Sequence, residues 1–288
     1  TAAAMRQFGA QITRGSDGAW VVDGVGVGSL LQPRGALDMG NSGTSTRLLM
    51  GLVATHPITA TFIGDASLSK RPMGRVTVPL SQFGTQFETA EGNRLPLTLK
   101  GAKNPVPVTY TLPVASAQVK SACLLAGLCA PGTTRVVEPE PTRVHTENML
   151  RHFGATVAVE DTAEGRVIRL DGQPELKAAP ISVPGDPSSA SFPLVAALLV
   201  LGSRIRLTQI GLNPLRTGLF TTLREMGAAL KIENIDVRPR PQTGDGFLVS
   251  NDGNPNTTGA KILGLTTGKL PEIVQSVESG KINALIVL

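Results

Sequence analysis

The 288 residues are 41% hydrophobic and 17% charged, with 32 glycines and 21 prolines, the balance of a globular chain of about two domains. Disorder, collagen and coiled coil are excluded by that composition. Lys and Arg outnumber Asp and Glu by 27 to 22, and the net charge of +5 favours anionic partners.

Nucleic acid is disfavoured as that partner, because aromatics make up only 3% and no dense basic block occurs. Small phosphorylated or carboxylated substrates fit better. The longest apolar stretch, Phe192 to Leu201, is half of the ~20 residues needed to cross a bilayer, so a soluble cytoplasmic chain is expected, with no membrane association. Cys123 and Cys129 read as buried reduced thiols. No cluster has metal-ligand spacing, and neither metal nor cofactor is expected.

In chain order, four passages resemble one another: Met5-Arg-Gln-Phe-Gly9, Leu80-Ser-Gln-Phe-Gly84, Leu150-Arg-His-Phe-Gly154 and Leu223-Arg-Glu-Met-Gly227. Each sets two large apolar residues three apart on one helix face, then a glycine where a left-handed cap ends the helix. A strand of period two follows every time, at Ala10, Thr85, Thr156 and Ala229. Beyond a turn comes a second extended run, at Trp20-Val-Val, Leu95-Pro-Leu-Thr-Leu, Val167-Ile-Arg-Leu and Phe247-Leu-Val.

The front of each repeat is a small polar loop, an apolar helix and another strand. Gly40 to Arg47 leads into a helix at Leu48–Ala54 and a strand at Thr59–Ile63. Val114 to Gln118 leads into Ala122–Ala130 and Thr134–Val137; Gly185 to Ala190 leads into Phe192–Leu201 and Arg204–Leu207. The unit is βαβαββ. Its front helices are apolar almost all round, so they are expected to be buried and closely packed. Their N-termini carry unpaired N–H groups and about half a positive charge each, and several converging would attract an anion. The last residues read as a turn-rich stretch (Ser250 to Gly259), a helix (Leu270 to Gly280) and a buried strand (Ile282 to Leu288).

Four loops carry a specific resemblance: Asn41-Ser-Gly-Thr-Ser-Thr-Arg47, Gly64-Asp-Ala-Ser-Leu-Ser-Lys-Arg-Pro-Met-Gly74, Ala115-Ser-Ala-Gln-Val-Lys-Ser-Ala122 and Pro184-Gly-Asp-Pro-Ser-Ser-Ala-Ser-Phe192. In order and spacing they are similar to the signature loops of the 5-enolpyruvylshikimate-3-phosphate synthases. The resemblance runs from near residue 1 to about residue 235. It implies an inside-out α/β barrel of βαβαββ repeats, with one near-complete domain at 1–184, the first repeat of a second domain at 185–250, and a tail of uncertain relationship at 251–288.

The implied reaction is transfer of the enolpyruvyl group from phosphoenolpyruvate to the 5-hydroxyl of shikimate 3-phosphate, in aromatic amino acid biosynthesis. Matched position by position, Gly43 and Arg71 fall in the phosphoenolpyruvate pocket, and Thr44 is a further substrate-binding position. Ser116, Ala117 and Arg143 fall against the shikimate phosphate, and Gln118 reaches both substrates. Position 117 is alanine where many relatives have serine, so only its amide contributes. The family's acid and base residues have no counterpart in this sequence, which implies little turnover by this chain alone. A monomer is expected.

Plainer readings stand beside these. Arg71 in a surface ion pair, Gly43 as a turn glycine, Ser116 as a helix cap and Arg143 neutralising Glu138 or Glu140 would each explain the residue without a ligand. Lys120 and Arg47, one turn inside their helices, read as structural pairs, Asp186 as an N-cap, and His145 and His152 as one solvated helix face. A UDP-N-acetylglucosamine enolpyruvyltransferase, or a non-catalytic polyanion-binding repeat protein, are the alternative functions.

Overall fold

The front half of the computed structural model begins with a helix, α1 (Ala2–Gln7), and the antiparallel pair β1 (Gln11–Arg14) and β2 (Trp20–Asp23). One full repeat follows: β3 (Leu37–Asp38), α2 (Gly43–Ala54), β4 (Thr59–Ile63), α3 (Ala66–Ser69), α4 (Gly74–Gln82), β5 (Gln86–Ala90) and β6 (Arg94–Lys100). A second comprises β7 (Thr109–Thr111), α5 (Ala117–Gly127), β8 (Thr133–Glu138), α6 (His145–His152), β9 (Val157–Thr162) and β10 (Gly165–Asp171). Then come α7 (Pro187–Leu199), β11 (Arg204–Arg206), a 3-10 turn at Pro214–Arg216, α8 (Gly218–Glu225), β12 (Leu230–Lys231), β13 (Lys261–Leu263) and β14 (Leu285–Val287). The structure describes residues 1–232, Lys261–Leu263 and Leu285–Val287. They divide into two units, Thr1–Arg14 with Trp20–Ala179, and Gly15–Ala19 with the residues from Pro180 on.

The expected helix stops are all present. Gly9, Gly84, Gly154 and Gly227 stand at φ of 100°, 98°, 92° and 93°, the left-handed region that an L side chain resists. In the first unit the apolar residue just before the stop is buried at Phe8 and Phe83. At the fourth stop Met226 is 77% exposed, so that position of the repeat has no cover among the described residues.

The two full repeats share one strand order, β3-β4-β6-β5 and β7-β8-β10-β9. In each the first pair is parallel and the remaining pairs are antiparallel. A parallel pair needs a crossover, and α2 and α5 supply it. These two helices pack directly on each other. A side chain at Gly51 would put its Cβ 2.4 Å from the Ala122 carbonyl oxygen and 2.6 Å from the Ala122 Cα, so backbone meets backbone at that seam. Met50, Val53, Ala122, Cys123 and Leu124 are buried around it, with Phe62, Leu97 and Leu99 from the first sheet.

Three helices start earlier than their apolar runs suggest. The loops read as Gly40–Arg47, Val114–Gln118 and Gly185–Ala190 contain the first turns of α2, α5 and α7, at Gly43, Ala117 and Pro187. The reason is capping: the side chains of Ser42, Ser116 and Asp186 accept N–H bonds from the first turn, and tertiary packing overrides the weak helix preference of Ser, Thr and Gly. Asp186 is thus a cap, as its position suggested. Partial burial draws its carboxyl upward, but the Ser188 and Ser189 N–H groups, the Ser189 hydroxyl and Arg216 outweigh that and hold it below the usual range.

A different expectation fails in the second unit. Helix α7 is not buried all round: Ala190, Leu194 and Ala197 face its small core, whereas Phe192 is 78% exposed. Among the described residues its apolar circumference has no helix packed on it as closely as α2 and α5 pack on each other. The sheet here runs β12-β14-β11-β13. Strand β14, inside the expected strand Ile282–Leu288, lies parallel to both β11 and β12, and β13 pairs antiparallel with β11. The expected strand at Phe247, the turn-rich stretch Ser250–Gly259 and the helix Leu270–Gly280 lie outside the described residues.

Both cysteines are buried and unbridged, and burial pushes the Cys123 thiol up to about 12. Cys129 Sγ lies 3.7 Å from His56 Nε2, and His56 Nδ1 is 2.8 Å from the Leu52 carbonyl oxygen. Burial pulls the His56 imidazole below its ordinary value, against a smaller upward pull from Leu52. An unfolded histidine takes its proton at about pH 6.5, so below that pH the unfolded state binds more protons. Stability contributed by neutral His56 is complete above that value and is lost as pH falls through the lower, folded value. Urea midpoints are expected to drop between pH 7.5 and pH 5, with a smaller drop in His56→Gln. Equal drops in the two proteins would show that His56 is not the group responsible.

Candidate functional site

The N-termini of α2 and α5 meet through their side chains. Gln118 Nε2 donates to Thr44 Oγ1 at 2.7 Å, and Gln118 Oε1 accepts from Arg47 Nη1 at 3.0 Å. Arg47 also donates to the Gly43 carbonyl at 3.2 Å. Two helix starts are therefore tied side by side, each with its unpaired N–H groups and positive dipole end.

A second arm comes from the loop after β4. Asp65 caps α3 by accepting from Leu68 N at 2.7 Å and takes a bond from Asn41 Nδ2 at 2.7 Å. The Leu68 N–H and the Asn41 amide hold its carboxyl below the usual range. Asn41 Oδ1 in turn accepts from Arg71 Nη2 at 2.7 Å, and Ser67 Oγ accepts from the same nitrogen at 3.2 Å. Arg71 is thereby oriented at the mouth of α2. At Gly43 a Cβ would sit 2.8 Å from Arg47 Nη1 and 3.4 Å from Arg71 Nη1, so the missing side chain is what lets two guanidinium groups approach this turn.

Burial, then Arg71, then Arg75 pull the Arg47 guanidinium below its ordinary value. Three like charges gathered around two helix N-termini form a place where a dianion is favoured and a cation is not. Among the described residues no group of three or more His, Cys, Asp and Glu is placed to hold a metal ion. No described helix is long and apolar enough to cross a membrane. A cleft of about 320 Å³ lined by Pro57, Ile58, Gly84, Gln86, Lys100 and Lys103 contains none of the site residues.

Of the residues singled out in the sequence, Gly43, Thr44, Arg71 and Gln118 are brought into this one network. Ser116 caps α5, its Oγ accepting from Val119 N at 3.4 Å, with Ala117 the first residue of the helix. Arg143 is exposed in the strap between β8 and α6, and its main-chain oxygen is bonded to Lys120 at 2.8 Å. The carboxylate Glu138, offered with Glu140 as a partner for Arg143, lies 3.1 Å from Lys120 Nζ.

Sequence reasoning missed Asn41, and read Arg47 as a structural pair, which its bonds to Gln118 and the Gly43 carbonyl bear out, without naming its partners. Arg47 is the residue four after Gly43, hence on its helix face, a relation that becomes readable only once α2 is known to start at Gly43. Asn41 had no signal beyond its place ahead of the cap.

Comparison with known proteins gives a consistent set of relatives. A family model described as EPSP synthase (3-phosphoshikimate 1-carboxyvinyltransferase) matches residues 1–255. The 3-phosphoshikimate 1-carboxyvinyltransferase of Paracoccus denitrificans is 63% identical over 234 residues, covering 81% of this chain and 53% of that protein. That of Novosphingobium aromaticivorans is 66% identical over 232 residues, 80% of this chain and 53% of its own length. Among solved structures, EPSP synthase from Acinetobacter baumannii superposes with a TM-score of 0.68 at 45% identity, over 77% of this chain and 50% of that one. The chain spans about half the length of the curated relatives it matches.

Proposed function

Because this chain belongs to the EPSP synthase family, we propose that it forms part of a site that transfers the enolpyruvyl group of phosphoenolpyruvate to the 5-hydroxyl of shikimate 3-phosphate, releasing phosphate. The observation that carries the reading is Gln118, which joins the start of α5 to the start of α2 through Thr44 and Arg47. One side chain thus stands between the two places where two anions would rest.

In this reading the Ser116 hydroxyl, the Ala117 amide and Arg143 take the phosphate of shikimate 3-phosphate. Arg71, with the first-turn amides of α2 at Gly43 and Thr44, takes phosphoenolpyruvate. A guanidinium grips phosphate or carboxylate through two parallel bonds, and Arg71 is already aimed by Asn41 and Ser67. Gln118 aligns the two ligands so that the attacking hydroxyl and C2 of the donor are held close, the ordinary contribution of orientation to a two-substrate reaction. The addition also needs a proton delivered to C3 and one removed from the hydroxyl. None of the residues in this network is placed in that role here.

The proposal assigns binding to this chain and negligible turnover. Titration calorimetry is expected to show shikimate 3-phosphate binding with weak affinity, and a phosphate-release assay with both substrates to stay at background. Absence of binding would overturn the ligand assignment; robust phosphate release by the purified chain would overturn the account of the absent acid and base groups.

A further inference from the structure

Lys120 occupies a position where a charge is costly. Its side chain is fully buried on the first turn of α5, and its main-chain N–H reaches back to the Ser116 carbonyl at 3.1 Å. The ammonium meets three oxygens: Glu138 Oε2 at 3.1 Å, Glu147 Oε1 at 2.7 Å and the main-chain oxygen of Arg143 at 2.8 Å. Both carboxylates are as buried as the lysine. Glu147 makes a purely ionic contact, with no directed hydrogen bond to either oxygen.

Stability alone is a poor reason for such a group. Removing ions from water commonly costs as much as their attraction returns, and a well-packed apolar replacement of the whole set is often neutral or better. What an apolar side chain cannot do is hold a carbonyl. Here the third oxygen belongs to the backbone of an exposed arginine, in a strap also fixed by the Thr142 hydroxyl donating to Glu138. Helix α6 is attached to α5 through Lys120 and Glu147, and a second time by Ser121 Oγ and Thr146 Oγ1 at 2.7 Å.

We propose that Lys120 is a positioning residue: its ammonium locks the backbone of Arg143 to the first turn of α5, so that Arg143 and Ser116–Gln118 are presented to one phosphate. This rests on the reading that those residues bind shikimate 3-phosphate. Lys120 itself lies beneath the site and touches no ligand.

The test is a set of calorimetric titrations of the chain with shikimate 3-phosphate, each paired with a urea unfolding curve. Lys120→Met/Glu138→Gln/Glu147→Gln removes the ammonium without leaving a buried carboxylate uncompensated. It is expected to weaken binding about tenfold, as Arg143→Ala does, and the quadruple variant is expected to bind no worse than Arg143→Ala. Ser121→Ala should move the unfolding midpoint and leave affinity alone. If the triple variant does not fold, Lys120→Arg replaces it, since a flat guanidinium cannot set one nitrogen among three oxygens while the charge balance is kept.

Wild-type affinity in the lysine variants, or a loss that adds in full to that of Arg143→Ala, overturns the positioning role and leaves the ligand assignment standing. No binding by the wild-type chain overturns the ligand assignment, and the inference falls with it. Unchanged binding in Arg143→Ala, in a chain that binds, overturns the inference through Arg143 alone.

Discussion

Replacing Gly51 by leucine is expected to cost the first unit about 3 kcal/mol or more, read as a lower urea midpoint at unchanged slope. The glycine sits mid-helix, where alanine would ordinarily gain about 1 kcal/mol in helix preference. That gain loses here. Even the first added carbon arrives 2.4 Å from a carbonyl oxygen and 2.6 Å from a Cα of α5, and backbone cannot rotate away as a side-chain tip can. Gly51→Ala is therefore expected to destabilise too, by a smaller amount, and the two helices must separate in either variant. A Gly51→Ala protein at least as stable as wild type would show that the α2–α5 seam is looser than described.

The second large effect concerns affinity. Gln118→Leu, one atom shorter, removes both of the side chain's polar contacts, so Arg47 loses its Gln118 acceptor and Thr44 its Nε2 donor. In the proposed reading Gln118 also donates to the anionic ligands, and a hydrogen bond to a charged group contributes about 1.5–3 kcal/mol, which corresponds to a ten- to hundredfold loss of affinity for shikimate 3-phosphate. The arginine released from Gln118 is already strained by burial and by Arg71 and Arg75, so it has reason to swing into the space meant for the ligand. Calorimetry should find the loss, alongside a lowered unfolding midpoint from the two internal bonds removed. Binding undiminished in Gln118→Leu would remove this residue from the site.

Much of the architecture was legible because it is written in local chemistry that repeats. A left-handed glycine behind a two-point apolar face is a helix stop whatever surrounds it, and all four were readable from five residues each. The helix starts were less legible. Gly43, Thr44, Ser45 and Thr46 form a poor helix on intrinsic preference, and only the Ser42 cap with the packing of α2 on α5 makes them one. That five-residue error hid the partners of Arg47, because its relation to Gly43 and Gln118 exists only when the turn is helical.

The matched loops named Gly43, Arg71 and Gln118, yet spacing alone would not have joined residues 71 or more apart in the chain, as Arg47 and Gln118 are. Lys120 was correctly read as paired, but its partners lie 18 and more residues away, so no window of sequence could reveal that one of them is the backbone of Arg143. The exposed side of α7 was misread for the opposite reason. Its composition is that of a core helix, and composition does not say whether a neighbour is there to cover it.

The shared strand order of the two full repeats bears on how this chain is made. Among the described residues neither four-stranded sheet borrows a strand from the other, so each can be finished from its own stretch of polypeptide while later residues are still being added at the ribosome. What cannot be finished early is the line along which Gly51 meets Ala122, because its two sides are synthesised in different repeats. Docking along that line is the event that brings Thr44 and Gln118 into reach of each other, so a chain whose two repeats have not met lacks both the closed seam and that pairing.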